Sequence, residues 1–140
     1  GEGDEGAKKK RKGKKKGDGT DLYKIVKLIT ERQYDPCIVF SFAKKECESN
    51  AQSIAKLDFC TEDEKELIEQ VFVNAIDSLS EEDKGLPQVV ALLPMLRQGI
   101  GVHHGGMLPT LKEIVEVLFG EGLLKVLFAT ETFSIGINMP

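Results

Sequence analysis

The residues best suited to holding an anion are the last twelve of the 140-residue chain, Ala129-Thr130-Glu131-Thr132-Phe133-Ser134-Ile135-Gly136-Ile137-Asn138-Met139-Pro140. They follow the apolar run Leu124 to Phe128. The hydroxyls of Thr130 and Thr132 can donate to phosphate oxygens, Gly136 allows close backbone approach, and Asn138 can donate and accept together. An apolar strand emptying into such a string puts these groups at its carboxyl end, where open α/β sheets hold their ligands.

Two other stretches have related chemistry. In Phe40-Ser41-Phe42-Ala43-Lys44-Lys45-Glu46-Cys47-Glu48 a hydroxyl and two lysines fall near the expected amino terminus of a helix, a natural anion position. The plain alternative is that Ser41 caps the helix and the lysines are solvated. In Gly99-Ile100-Gly101-Val102-His103-His104-Gly105-Gly106-Met107-Leu108-Pro109 the adjacent histidines invite a metal. However, side chains one residue apart on a strand point to opposite faces. No Cys or Glu stands at ligand spacing, so no metal site is expected. Gly105 and Gly106 instead let backbone N–H groups approach a phosphate, helped by the dipole of the helix that follows. No catalytic acid, base or nucleophile can be named.

The elements that must position these groups are legible in order. Thr20 or Asp21 can cap a helix with Leu22, Ile25, Val26, Leu28 and Ile29 on one broad face, ended by Tyr34-Asp35-Pro36. Cys37 to Phe42 reads as a buried strand, and a helix from Ala43 runs to about Leu57. Thr61-Glu62-Asp63-Glu64 fits a capping box before a helix carrying Leu67, Ile68, Val71, Phe72, Ala75 and Ile76. Ser80-Glu81-Glu82-Asp83 resembles another start, and Leu86 to Arg97 is a further helix entered through Pro87. A short strand, Gly99 to His103, precedes a helix begun by Pro109 and stopped by Gly120-Glu121-Gly122. Leu124 to Phe128 is the closing strand. Strands separated by helical spans indicate parallel βαβ crossovers, hence an α/β fold.

The string Ala-Thr-Glu-Thr-Phe-x-x-Gly-x-Asn-x-Pro resembles motif V of superfamily 2 RNA helicases, in the form used by the DExH-box helicases that feed RNA to the exosome. The Ser41 to Glu48 junction looks like motif IV of the same enzymes, and His103-His104-Gly105-Gly106-Met107-Leu108-Pro109 is similar to their His-His-Gly/Ala-Gly-Leu-Leu-Pro segment. The connecting strings Lys56-Leu57-Asp58-Phe59, Asp63-Glu64-Lys65, Asn74-Ala75-Ile76-Asp77, Leu79-Ser80 and Leu86-Pro87-Gln88-Val89 resemble the nuclear exosome and polyadenylation-complex branch more than the cytosolic Ski branch. The resemblance runs from about Asp21 to Pro140. It implies a RecA-like parallel sheet flanked by helices, an incomplete second helicase domain over 20–140. It further implies RNA-backbone contacts from Ser41, Lys44, His104, Gly105, Gly106, Thr130 and Thr132. Lys112 stands where related helicases often carry a basic residue, and is either a further phosphate contact or an exposed helix charge. Gly136 and Asn138 would face the nucleotide; Asn138 departs from the aspartate many such helicases place near the ribose. The parent enzyme would be an ATP- and Mg-dependent 3′-to-5′ RNA helicase. Its implied partners are RNA, the exosome, polyadenylation-complex proteins and its own first RecA-like domain, in the nucleus, or in the cytoplasm if the Ski relative is the match.

Composition sets bounds on this reading. Eight basic and four acidic side chains precede Thr20, while eleven basic and nineteen acidic follow it. A basic tail, residues 1–19, therefore precedes an acidic domain, and its near-total lack of apolar side chains predicts a disordered linker. Lys8 to Lys16 is either a nuclear import signal, an RNA tether, or simply solvated charge. An acidic domain cannot hold RNA by bulk charge, so its contacts must be local. Three cysteines without a CxxC pair argue for a reducing compartment and for inert core thiols. No run approaches the ~18 apolar residues of a membrane helix, so no membrane partner is expected. The sequence contains no Gly-x-x-x-x-Gly-Lys-[Ser/Thr] and no Asp-Glu-x-His; Asp63-Glu64-Lys65-Glu66 is expected mid-helix and lacks the histidine. The arginine segment that stabilises the transferring phosphoryl group is also missing. The segment is therefore expected to be inactive alone. The competing reading is a non-catalytic module, derived from a helicase domain, that binds RNA or protein.

Overall fold

The computed structural model describes residues 21–28, 31 and 36–130. The expectations for residues 1–20, for Ile29, Tyr34 and Asp35, and for the string after Thr130 lie outside them. A first helix, α1, covers residues 21–28. It is followed by β1 (Cys37–Phe40), α2 (Lys44–Ser53), α3 (Glu62–Ile76), α4 (Glu81–Lys84), α5 (Pro87–Arg97), β2 (Ile100–His103), α6 (Pro109–Gly120) and β3 (Val126–Ala129). The strands form a parallel sheet in the order β1-β3-β2. This is the expected α/β architecture, a parallel sheet flanked by helices. No helix among the described residues is long and apolar enough to cross a membrane.

β3 lies in the middle, and Val126, Leu127, Phe128 and Ala129 are wholly buried. β2 is likewise buried along its length, whereas β1 is only half-buried and ends on the exposed Phe40. Helices cover both faces. Gly101 faces α6: a Cβ there would stand 2.8 Å from Leu124 Cδ1 and 3.5 Å from Val115 Cγ1, so only glycine lets helix and sheet close up. The opposite side of β2 meets α2 and α5, and α3 bridges α5 and α6. Gly99, with φ of 87°, turns the chain from α5 into β2 in a conformation other residues resist.

Local signals are realised where chemistry is strongest. Thr61 and Glu64 form the reciprocal capping box of α3. Pro87 and Pro109 each open a helix. Several expectations need correction. β1 stops at Phe40, because the Phe42 N–H turns to Glu46 Oε1 (2.8 Å) as the chain enters α2, leaving the Phe42 side chain fully exposed. α2 ends at Ser53 rather than Leu57. β3 starts two residues later than expected, since Leu124 and Lys125 still lead in. The inward face of α1 is Leu22, Tyr23 and Val26; Ile25 and Leu28 are about half-exposed, because neither lies one full turn from Val26. In α3, Ile68 and Phe72 are buried but Leu67 is exposed. Asp63-Glu64-Lys65-Glu66 falls in the first turn of α3, not mid-helix, and Glu64 there is committed to capping. Cys37 is half-buried rather than buried.

Candidate nucleic-acid interface

Register brings the three singled-out segments together. Phe40 and His103 are both paired with Ala129, so all three parallel strands end at the same level. Ser41, His104 and Thr130 are the next residues out, lining one carboxyl edge of the sheet. Ser41 N–H donates to Ala129 O (2.9 Å) and Thr130 N–H to His103 O (3.2 Å), which extends the ladder one step into the loops. The convergence of Ser41, His104 and Thr130 therefore follows from strand register.

The side chains divide into internal pins and outward groups. Ser41 does not cap α2, whose N-cap is Ala43 without a side-chain bond. Its nearly buried hydroxyl accepts from Asn50 Nδ2 (3.3 Å) and lies near enough to the Cys47 thiol to favour its thiolate. Burial and the charges of Glu46 and Glu48 hold that thiol above its usual range despite the Ser41 hydroxyl. Burial likewise raises Cys37 and Cys60. A thiol held above its usual range carries little of the reactive thiolate at neutral pH.

The two histidines go to different helices, as strand alternation requires. His103 Nε2 meets Glu116 Oε2 of α6 at 2.7 Å, and His104 Nε2 meets Glu48 Oε2 of α2 at 2.9 Å. His104 Nδ1 accepts the Gly106 N–H (3.1 Å). The Met107 N–H donates to His104 O (3.2 Å), and the Leu108 N–H to Gln88 Oε1 (2.8 Å). The loop before α6 is thus less open than its two glycines suggest, since these three amides are satisfied by the protein. At the α6 start Pro109 has no N–H, and Leu111 and Lys112 donate to Leu108 O. The Gly105 N–H has no partner among the described residues, and a Cβ at Gly105 would meet nothing within 4 Å.

Lys44 completes the loop's surroundings. A Cβ at Gly106 would stand 2.8 Å from Lys44 Cδ and 3.2 Å from Lys44 Nζ, so the lysine lies across the glycine. An ammonium from α2 lying over the loop and a backbone N–H left free within it are the donors an anionic oxygen needs. Lys112 is in the first turn of α6, half-buried, and no side-chain bond joins it to the other candidates among the described residues. Thr130 is half-buried at the exit of β3, while Thr132, Gly136 and Asn138 lie outside the described residues. An apolar groove of about 600 Å³ runs between α2 and α5, lined by Leu92, Met95, Met107 and Leu111 among others, with Glu48 and Gln88.

Known proteins are similar to this chain in sequence. The chain is 60% identical over 135 residues to the human exosome RNA helicase MTR4, covering 96% of the chain and 13% of that protein. It is 57% identical over 135 residues to the ATP-dependent RNA helicase mtr4 of Schizosaccharomyces pombe, covering 96% of the chain and 12% of that protein. With the antiviral helicase SKI2 of Saccharomyces cerevisiae identity falls to 45% over 116 residues, covering 83% of the chain and 9% of that protein. In sequence, the chain matches a segment of the exosome-associated branch of the DExH-box RNA helicases. No family model matches it. The chain spans about one-eighth of the length of these helicases.

Within this helicase segment, Glu48, Asn50 and Gln88 are the site residues that sequence reasoning missed. They touch residues 56, 9 and 20 positions away, respectively His104, Ser41 and Leu108. No short-range spacing announces them; the only signal is that Glu48 follows Lys44 by one helical turn.

Proposed function

We propose that residues 20–140 are part of the second RecA-like domain of an ATP-dependent RNA helicase. In this reading its carboxyl sheet edge grips the RNA backbone, and residues 1–19 are a basic linker. Lys44 and the Gly105 N–H are the direct phosphate donors, joined by Thr130, Thr132 and Lys112. Ser41, His104 and Gly106 shape the edge from within, and Gly136 and Asn138 face the nucleotide. The observation that supports this reading is the register of Phe40, His103 and Ala129, which brings the described residues of the three helicase-like segments to one edge.

The parent enzyme is read as a 3′-to-5′ helicase that serves the exosome in nuclear RNA processing and decay. Its partners would be exosome and polyadenylation-complex proteins and its own first RecA-like domain. ATP and Mg belong to that larger enzyme. Among the described residues no group of His, Cys, Asp and Glu could hold a metal ion, so no hydrolytic step is assigned to them. This segment is read as inactive alone because its sequence lacks the phosphate-binding loop and the Asp-Glu-x-His string, and its task is to contribute RNA-backbone and nucleotide contacts. The test is RNA-stimulated ATP hydrolysis, measured side by side on the 140-residue chain and on the longest product of its gene. Activity in the longer product only is expected. RNA binding without hydrolysis in both would favour a non-catalytic module.

A further inference from the structure

We propose that Glu48 is a positioning residue for RNA-backbone binding, acting through His104 on the loop 104–106; this rests on the function proposed above. Because the Gly106 N–H donates to His104 Nδ1, that nitrogen carries the lone pair, and the proton of the neutral ring is on Nε2. Nε2 then donates to Glu48 Oε2. The imidazole is held at both nitrogens, by α2 on one side and by the loop on the other, and its side chain is only 5% exposed. Helix α2 grips the same loop a second time, one turn earlier, where Lys44 lies across Gly106. Removing the Glu48 contact frees the ring to rotate or change tautomer. The Gly106 N–H then loses its acceptor, and the relation between Lys44 and the outward Gly105 N–H is no longer fixed.

The sign of the effect separates this role from the bland one. A carboxylate beside a phosphate site repels RNA, and the Glu48 side chain is 61% exposed. If it were only a surface charge, removing it would tighten binding. As a positioning residue, its loss weakens binding. The experiment measures anisotropy of a short fluorescein-labelled oligouridylate with the wild-type chain, Glu48→Ala and Glu48→Gln, together with the Gly106 amide resonance and the melting temperature. Glu48→Ala is expected to weaken binding about three- to tenfold, the worth of one hydrogen bond, and to shift the Gly106 resonance with little change in melting. Glu48→Gln keeps an acceptor and loses the repelling charge, so it is expected to bind as tightly as wild type or tighter. Glu48→Ala binding as well as wild type, or both variants weakening equally, overturns the proposal while leaving the RNA site standing. A wild-type chain that binds no RNA overturns the functional reading, and this proposal with it.

Discussion

Gly106→Ala tests whether Lys44 is a working phosphate contact. The new methyl would stand 2.8 Å from Lys44 Cδ, 3.2 Å from Lys44 Nζ and 3.3 Å from His104 Cε1. The two closest atoms are the far end of an exposed, flexible side chain, which can swing into solvent. A displaced rotamer costs about 0.5–1.5 kcal/mol, and the stiffer unfolded chain returns about 0.4–1 kcal/mol. Stability should therefore stay within about 1 kcal/mol of wild type, a few degrees in melting temperature. Binding should respond differently. A lysine lost from a single-stranded backbone lowers the slope of log K against log salt by about 0.7, which from 1 M to 0.1 M amounts to about fivefold in affinity. The assay is fluorescence anisotropy with labelled oligouridylate at several KCl concentrations, beside a thermal melt. Gly105→Ala is the control, because its Cβ meets nothing and displaces no cation. An unchanged salt slope in Gly106→Ala would refute the reasoning, as would the same slope change in Gly105→Ala.

Val126→Asp places an unpaired carboxylate on a wholly buried position of the central strand, so the chain should not fold; a soluble protein with a cooperative melt would mean the strand is misplaced. Glu64→Ala removes the carboxylate half of the capping box of α3, its bond from the Thr61 N–H, and the 3.1 Å bridge to Lys125, and should cost about 1 kcal/mol in urea unfolding. Burial pushes the Glu64 carboxyl up, but the Thr61 amide and the Lys125 ammonium outweigh it and hold it below the usual range. Its contribution is thus present above the ordinary carboxylate value and lost as pH falls through the lowered one. The gap between wild type and Glu64→Ala should therefore narrow below about pH 4, and a gap that widens on acidification would contradict this. Cys47, buried and with its thiol raised, should resist iodoacetamide in the native chain and react fully in urea, as mass spectrometry would read.

What was legible in the sequence is what short-range chemistry writes. The Thr61 box, the helix-opening prolines and the apolar strand runs depend on neighbours within a turn or a pleat, and they fall where expected. Strand ends were less legible, because Phe42 continues the apolar pattern of β1 yet its N–H is claimed by Glu46. Burial on α1 and α3 was overestimated at Ile25, Leu28 and Leu67, since periodicity marks an apolar face but not how much of it a neighbour covers. At the site, Ser41, His104 and Thr130, which residue type had singled out, fall at one edge of the sheet. What residue type could not show is which amides the fold uses up. The donors of Gly106, Met107 and Leu108 are occupied by His104 and Gln88, contacts set by tertiary packing. The acidic partner of His104 is invisible for the same reason.

The most direct test of the central claim is a titration of the ¹⁵N-labelled chain with oligouridylate, following every backbone amide. Perturbations are expected to converge on Ser41 to Lys44, Gly105, Gly106 and Thr130, the groups aligned at the carboxyl edge of the three strands. Perturbations confined to residues 1–20, or spread over α3 with the edge unmoved, would contradict the claim.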